Sequence, residues 1–471
     1  MKKALLILFV LVNNTIALAQ QFQYDNIFYQ VVPFTTTAEV RNSQSVSGNV
    51  TIHPIVSYNG TEYTVTSIAN SAFYQCSIQS ISIPNTITSI GDEAFSYCSA
   101  LDNVTIPDSV TSLGNGAFKY CTNLTSISLS NSLTSIGDIT FVLCQNLSTI
   151  TLPNSITSIG FSAFQSSGII SITLSNSLTS IGYGAFTDCF RLQSIIIPNS
   201  VTSIGYRAFE SCDVLTSVTL SNALTSIEYK TFYECPITSI TIPSSVTSIG
   251  DEVFKFCWGL QSIVIPNTIT SLGNSIFYNC KNLTSVSLPN TLTSIPFATF
   301  EKCINLPTIT IPSSVTFIGL VAFQDCTNLT SVICNIATPL LLPVDGIYNP
   351  FLNINQFCAL CVPTGSVSAY QSAPIWQNFS PIVTCSALSS ANFSINNNIK
   401  IYPNPAISEL FIDINNITDA QLEVIDITGK ILFNQTLNFT NIINISNLTD
   451  GIYLFKITSD QGSITKKVIK N

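Results

Sequence analysis

The sequence repeats one short unit twelve times, and this repetition limits the folds open to the chain. An apolar residue closes a Thr-Ser-Ile-like triplet every 22 or 23 residues, at Ile68, Ile90, Leu113, Ile136, Ile159, Ile181, Ile204, Ile227, Ile249, Leu272, Ile295 and Ile318. Five residues later each unit has a Phe, from Phe73 to Phe323, and three residues further eleven units have a Cys, while the other has Ser167. Such a period predicts a solenoid, in which each coil packs only against its neighbours.

One unit, Leu124–Asn146, shows how a coil is built. Ser126–Leu129 alternates polar and apolar residues and predicts a short strand, while Phe141 and Cys144 share the inner side of a short helical turn that Asp138 caps. Burying about five apolar side chains gains about 1.5–3 kcal/mol each, whereas ordering each residue costs about 1–2 kcal/mol. A single coil therefore cannot fold alone, and the array needs a polar cap at each end.

Composition excludes several classes of function. The 471 residues include 16 Lys plus Arg, 25 Asp plus Glu and one His, with a net charge of -9. No basic surface is available for phosphates, so nucleic-acid binding is excluded. His53 lies in the N-terminal cap and cannot by itself supply a zinc site, and we predict no cofactor and no metal. The low charge also argues against general disorder.

The two ends of the chain differ from the repeats. Residues 1–19 have two Lys, an apolar stretch and an Ala-Leu-Ala end, which predicts a secretory signal peptide. No later run is apolar enough to span a membrane. From about Ala391, alternating strands separated by Asp-Gly and Thr-Gly turns predict a small β-sandwich of roughly seven strands.

The cysteines form two groups. Eleven recur at one position beside the inward Phe, which favours buried thiols over a disulfide framework. The other four lie near the C-terminal end of the array, where we predict at least one disulfide, and they are Cys334, Cys358, Cys361 and Cys385. A redox centre at Cys358 and Cys361 is disfavoured because no helix start or basic neighbour would lower the thiol pKa.

Hydroxyl side chains form another column, which is Thr66, Thr88, Thr111, Thr134, Thr157, Thr179, Thr202, Thr225, Thr247, Thr270, Thr293 and Thr316. A regular hydroxyl surface could bind ice or another periodic solid. Short hydroxyl side chains bond readily to nearby backbone, so we predict that they satisfy backbone groups at the coil corners.

A strip of aromatic residues interrupts the central coils. Two residues after the apolar column, the outer coils have Asp or Asn, but four consecutive coils have Phe161, Tyr183, Tyr206 and Tyr229. Loss of a capping residue costs about 0.5–2 kcal/mol. The candidate ligand-binding strip consists of these four aromatics with Arg207 and Lys230, and it suits sugar rings or a protein's apolar groups. The alternative is that the rings only stack on one another.

The C-terminal strands contain Ile401–Pro405, Val424–Lys430, Leu448–Leu454 and a basic end at Lys466–Lys470. In this order they resemble the C-terminal sorting domain of type IX secretion substrates, which implies export by that machinery. The motif residues are Tyr402, Pro403, Asn404, Pro405, Gly429, Lys430, Gly451 and Tyr453.

The repeats resemble the BspA-like class of leucine-rich repeats. Ile197–Cys212, with the letters IPNSVTSIGYRAFESC, nearly spells out the unit of that class. Val56–Val65 is similar to its N-terminal hairpin, and Val362–Tyr370 with Trp376 is similar to its closing segment. The resemblance implies a secreted or surface-displayed binding protein, in some members an adhesin, and no catalysis.

Together these features predict a mainly β protein with short helical turns, made of a leucine-rich-repeat solenoid of about 12 coils and a small C-terminal β-sandwich. The predicted boundaries are 1–19 signal peptide, 20–64 N-terminal cap, 65–334 repeats, 335–390 C-terminal cap, 391–398 linker and 399–471 sorting domain. We predict a non-enzymatic module that binds a protein or glycan ligand at or beyond the outer cell surface. The alternatives are a structural envelope component without a ligand, an ice or solid-surface binder, or a polysaccharide hydrolase.

Overall fold

The computed structural model describes residues 20–385, 399–414, 420–426, 430–437, 440–459 and 462–470. The predicted signal peptide, the predicted linker and Gly429 lie outside these residues. The described residues form two compact units. One runs to Leu360 and includes Ser368–Ile382, and the other consists of Cys361–Val367 with the described residues from Val383 onward.

Most coils of the first unit have two short strands, which lie in two rows along the array. The row A strands are Ser77–Ser82, Asn103–Thr105, Ser126–Ser128, Thr149–Thr151, Ser171–Thr173, Ser194–Ile196, Ser217–Thr219, Ser262–Val264, Ser285–Ser287, Thr308–Ile311 and Ser331–Cys334. The row B strands are Ser89–Ile90, Ser112–Leu113, Ser135–Ile136, Ser158–Ile159, Ser180–Ile181, Ser203–Ile204, Ser226–Ile227, Ser248–Ile249, Ser294–Ile295 and Phe317–Ile318. Most of these strands pair in parallel with their equivalents in adjacent coils.

The pairing is in register, so each residue lies beside its equivalent in the next coil. Ile127 pairs with Val104, and Ile159 pairs with both Ile136 and Ile181. Like side chains therefore stack in columns along the array. Alternation places the strand's central Ile or Val inward and leaves Ser and Thr exposed, as at Ser126 and Ser128.

The Phe column forms the centre of the core. Twelve fully buried rings from Phe73 to Phe323 stack with centroids 5.2–5.9 Å apart and interplanar angles of 2–15°. Phe351 extends the stack by one ring, 5.1 Å from Phe323. Trp376 then closes it at 5.4 Å from Phe351, and its Nε1–H donates to Leu340 O.

The N-terminal cap already contains both rows of the solenoid. Its strands are Gln21–Tyr24, Ile27–Val31, Thr37–Val40, Ser47–Thr51, Ile55–Tyr58 and Thr61–Ile68. Thr37–Val40 pairs in parallel with Thr61–Ile68, and Ser47–Thr51 pairs in parallel with Ser77–Ser82. The C-terminal cap comprises the strands Ala359–Val362 and Ile382–Thr384, the α-helix Val367–Ser372 and the 3-10 helix Trp376–Asn378. The predicted mainly β solenoid with C-terminal antiparallel sheets is confirmed, and turns within the caps extend the solenoid to about 15 turns of roughly 23 residues.

The turn segments that carry the Phe column are not helical. Ile139 and Leu143 flank Phe141 with φ values of 50° and 59°, and the equivalent positions in the other coils are also left-handed. Left-handed residues cannot continue a right-handed helix. The N–H groups of these segments instead bond across coils, as when Phe141 N–H donates to Ala163 O at 2.7 Å.

The second unit contains seven described strands, namely Ile399–Tyr402, Glu409–Ile414, Ala420–Asp426, Ile431–Leu437, Thr440–Asn444, Gly451–Ser459 and Gly462–Lys470. They form antiparallel sheets of three and four strands. Leu410 and Ile412 of one sheet share a buried core with Val424 and Phe455 of the other, as a β-sandwich requires.

Candidate functional site

The turn segments expose one side, which we call the turn face. In each coil it includes the second and third residues after the apolar column and the two residues after the Phe. In the coil of Phe232 these residues are Tyr229, Lys230, Tyr233 and Glu234. Because the coils are stacked in register, the turn face is continuous along the array.

A ladder of Asp and Asn side chains runs along part of the turn face. Each Oδ1 accepts a hydrogen bond of 2.7–2.9 Å from the backbone N–H of the equivalent residue in the next coil. With the acceptor named first, the pairs are Asn70 and Asp92, Asp92 and Asn115, Asn115 and Asp138, Asp138 and Phe161, and Asp251 and Asn274. The predicted cap on a helical turn by Asp138 is therefore wrong. The turn has left-handed residues and no helix start, so the carboxylate joins two coils instead.

The aromatic strip lies where this ladder stops. Phe161, Tyr183 and Tyr206 are 47%, 42% and 51% exposed. Phe161 and Tyr183 stack at 5.4 Å with an interplanar angle of 24°, while Tyr206 has no ring partner among the described residues. Tyr229 is half-buried, with the Arg207 guanidinium 5.6 Å and the Lys230 Nζ 5.3 Å from its ring centroid. The structure thus brings the six residues onto one face as a ring pair, a single ring and a cation–π cluster.

Replacing Tyr206 by Asn is expected to restore one rung of the ladder. The Oδ1 of the introduced amide would then accept from the Tyr229 N–H, for which the described residues provide no side-chain acceptor. A net hydrogen bond contributes about 0.5–1.5 kcal/mol, so the free energy of unfolding should rise by that amount relative to Tyr206→Ala in urea titrations followed by circular dichroism. Equal stability of Tyr206→Asn and Tyr206→Ala would contradict the ladder's role.

Sequence reasoning missed the continuation of this cluster into later coils. The Lys230 Nζ lies 4.4 Å from the Tyr233 ring centroid, and the Lys255 Nζ lies 5.0 Å from that of Tyr278. Lys302 donates from Nζ to Tyr278 Oη at 2.9 Å, and this bond raises the pKa of Lys302. The signal was available in the two positions after each Phe, which hold Tyr233, Lys255, Tyr278 and Lys302 in a chain with few cations.

Carboxylates hold these cations in place. Glu252 lies between two lysines, with distances of 3.4 Å to the Lys230 Nζ and 3.1 Å to the Lys255 Nζ. Glu210 is 3.7 Å from Arg207 and 3.9 Å from Lys230, and burial raises the pKa of its carboxyl group despite these cations. The surface is therefore a mixed aromatic and charged network and not a patch of one sign.

The eleven repeated cysteines are free and buried. Each Sγ–H donates to a backbone carbonyl at 2.9–3.2 Å, and in ten of them the acceptor is the Phe of the preceding coil, as with Cys212 and Phe186 O. At the exceptional coil, the Ser167 Oγ lies 3.5 Å from the Cys189 Sγ. The thiols thus connect successive coils as well as filling the core.

The four cysteines of the C-terminal cap have different surroundings. Cys361 and Cys385 form a disulfide with Cα atoms 5.0 Å apart. Cys334 is buried with its Sγ 3.2 Å from the Tyr370 Oη, which donates to Ile336 O. Cys358 is buried and free, and burial raises its pKa to about 12.

The repeated Thr hydroxyls donate to backbone carbonyls in several coils. Thr179 Oγ1 donates to Thr157 O at 2.9 Å, and Thr316 Oγ1 donates to Thr293 O at 3.2 Å. These bonds join adjacent coils at their corners. His53 lies in the N-terminal cap, with its Nε2 3.0 Å from Asp25 Oδ2. Among the described residues, no group of three or more His, Cys, Asp or Glu side chains is placed to hold a metal ion.

Asn404 and Tyr402 of the sorting motif contact neighbouring strands of the second unit. The Asn404 amide donates to Lys467 O and accepts from the Ile469 N–H, both at 2.9 Å. Tyr402 stacks on Phe411 at 5.6 Å. Pro403 and Pro405 both follow cis peptide bonds.

The other described motif residues lie at or near the beginnings of two strands. Lys430 N–H donates to Asp426 Oδ1 at 3.1 Å, and Gly451 begins the strand Gly451–Ser459. The Tyr453 hydroxyl donates to Thr449 O at 2.7 Å. Lys430 and Thr449 thus lie just before the strands Ile431–Leu437 and Gly451–Ser459 of the four-stranded sheet.

The stacked coils and the separate C-terminal sheets define a leucine-rich-repeat solenoid with a C-terminal β-sandwich. The family model "BspA type Leucine rich repeat region" matches in overlapping segments, 66–192, 135–258, 179–282 and 247–338, which together span more than half of the chain. The chain therefore belongs to the BspA type leucine-rich-repeat family. The "Secretion system C-terminal sorting domain" model matches residues 400–471, which implies handling by the type IX secretion system. The protein is exported and is either secreted or held at the cell surface.

Solved structures of other bacterial proteins are similar to this chain. A leucine rich cell surface protein from Faecalibacterium prausnitzii is 26% identical, with 75% of this chain and 97% of that chain covered and a TM-score of 0.49. A leucine-rich repeat protein from Bacteroides ovatus is 25% identical, with coverage of 77% and 98% and a TM-score of 0.44. No curated protein matches the chain. No helix among the described residues is long and apolar enough to cross a membrane.

Proposed function

We propose that the repeat array is an exported, non-enzymatic binding module whose ligand contacts the turn face at the aromatic strip. The supporting observation is that Phe161, Tyr183 and Tyr206 occupy ladder positions, yet about half of each side chain is exposed. Exposed aromatics are enriched at the centres of interfaces, where they bury much area with little conformational entropy. Arg207 and Lys230 add cations beside the rings.

Of the two ligand classes, protein and glycan, the ring geometry favours a protein. Sugar rings bind on the flat faces of aromatic side chains, but Phe161 and Tyr183 cover one face of each other. Arg207 and Lys230 also lie within cation–π distance of the Tyr229 ring. The strip therefore presents mainly ring edges and charges, which suit the apolar and acidic side chains of a protein partner.

The test replaces Tyr183, Tyr206 and Tyr229 together by Ser in the full chain. Wild-type and variant proteins are immobilised and exposed to surface extracts of candidate host cells and to a glycan array, and bound polypeptides are identified by mass spectrometry. We expect a polypeptide that wild type captures and the variant loses, with binding weakened at least tenfold. The matched control is Tyr97→Ser, because Tyr97 is also exposed on the turn face but lies outside the strip.

Other outcomes would select the alternatives. Unchanged capture by the triple variant would contradict the strip as the binding surface. Absence of any captured ligand would favour the envelope component without a ligand, and turnover of a glycan on the array would favour a hydrolase. Circular dichroism of the variant must match wild type, which we expect because Tyr183 and Tyr206 are about half exposed and none of the three side chains lies in the core.

A further inference from the structure

A pocket of 310 Å³ lies at the C-terminal end of the repeat stack, away from the aromatic strip. It is formed by the last turn segment, residues 349–356, and by the closing segment that includes the 3-10 helix. Its lining residues are Asn349, Phe351, Leu352, Asn353, Ile354, Asn355, Gln356, Cys358, Ile375, Asn378 and Phe379. This volume is at the lower end of the range for small-molecule sites.

The pocket exists because no further coil stacks on the last turn segment. In each earlier coil, N–H groups of the turn donate to carbonyls of the next coil, as Asp325 N–H does to Leu352 O at 3.0 Å. Asn353 is the equivalent residue of the last segment, with φ 59°, and its N–H has no acceptor among the described residues. In the earlier coils the next coil supplies the acceptor for this donor, and Asn353 itself lines the pocket.

The polar groups of the pocket are amides. Asn349 and Asn355 each use Oδ1 to accept a backbone N–H, and Asn353 donates from Nδ2 to Asp325 Oδ1 at 2.9 Å. The side chains of Gln356 and Asn378 are exposed and have no hydrogen-bond partner within the described part of the chain. Amides offer both donors and acceptors, and no lining residue carries a charge.

We propose that this pocket binds a neutral saccharide ring. A sugar hydroxyl both donates and accepts hydrogen bonds, as the amides of Gln356 and Asn378 do. The half-buried Ile375 and the small exposed parts of Phe351 and Phe379 line the pocket with apolar atoms that can contact the C–H groups of the ring. An ionic ligand would enter without a counter-charge, which makes its desolvation unfavourable. This site is separate from the turn-face strip and does not depend on the function proposed for that strip.

The experiment titrates the full chain with glucose, galactose, mannose and N-acetylglucosamine, using saturation-transfer NMR and calorimetry, with glucuronate as the anionic comparison. We expect saturable binding of at least one neutral sugar, weakened about tenfold or more in the double variant Gln356→Ala/Asn378→Ala because two hydrogen bonds are lost. Asn176→Ala is the control, since Asn176 is an exposed amide of a distant coil. The strip variant Tyr206→Ser should bind the sugar as wild type does.

Three results would overturn the proposal. These are saturation by none of the four neutral sugars, equal affinity in wild type and the double variant, and tighter binding of glucuronate than of glucose. Because the two substituted side chains make no hydrogen bonds within the described part of the chain, we expect the double variant to keep the wild-type unfolding midpoint, so a loss of sugar binding would report on the pocket itself.

Discussion

Raising the pH above 9 is expected to unfold the repeat array. Burial raises the pKa of ten of the eleven repeated cysteines above their ordinary value near 9. The raised pKa is about 11 for Cys76 and about 12 for Cys98, Cys144 and Cys189, and burial also raises those of Cys121, Cys212, Cys257, Cys280, Cys303 and Cys326. Above pH 9 these thiols ionise only in the unfolded chain, which then binds fewer protons than the folded array. The free energy of unfolding therefore falls as pH rises.

The size of this effect follows from proton linkage. At pH 10 each such thiol lowers the free energy of unfolding by about 1.4 kcal/mol, so ten thiols lower it by about 14 kcal/mol, comparable to the total stability of a domain. Circular dichroism of samples equilibrated from pH 7 to 11 should show loss of structure between about pH 9 and 10.5. The variant Cys212→Ser removes one titrating group, and its stability should depend less steeply on pH, by about 1.4 kcal/mol per pH unit. An array equally resistant to urea at pH 7 and at about pH 10.5 would show that the thiols are not buried.

Replacing Phe209 by Ala should lower the free energy of unfolding by about 3–5 kcal/mol. The ring is fully buried between those of Phe186 and Phe232, at centroid distances of 5.3 and 5.6 Å. Its removal leaves a cavity in the Phe stack and breaks two ring contacts, each of which contributes about 0.5–1.5 kcal/mol beyond the buried area. Urea unfolding followed by circular dichroism measures the loss.

The control is Phe161→Ala, which removes the same side chain from an exposed position of the strip. Phe161 contacts one ring only among the described residues, so its replacement should cost about 1 kcal/mol or less. Similar losses for the two variants would mean that the Phe column does not form the core. Hydrogen exchange should further show the largest loss of protection in coils adjacent to Phe209.

The regular parts of this fold could be predicted because each column has the same environment in every coil. The inward Phe and Cys columns, the exposed strand hydroxyls and the need for caps all follow from one unit and from stacking. The turn conformation could not be read in the same way. The spacing of Phe141 and Cys144 fits a helical turn, but two left-handed residues per coil direct the backbone N–H groups into the next coil.

The candidate sites were likewise predictable from the sequence only in part. The aromatic strip was visible as a change of residue type in one column, since Asp and Asn give way to Phe and Tyr. Its extension through Lys255 and Tyr278 was missed, because the contacts join different columns of different coils. The pocket at the C-terminal end had no sequence signal, since its walls come from residues 349–358 and 375–379, which lie outside the repeat.

The sequence by itself determined a stacked repeat with two caps and an exported tail, because a unit that cannot fold alone must bury its apolar column against copies of itself. Only the tertiary structure decided which atoms meet across the coils. The repeated Cys thiols donate hydrogen bonds to carbonyls of the preceding coil, and the Asp and Asn side chains of the ladder accept from N–H groups of the next coil. The amides of the last turn lie around a pocket. These contacts depend on backbone direction and on where the stack ends, and neither is encoded in the period of the repeat.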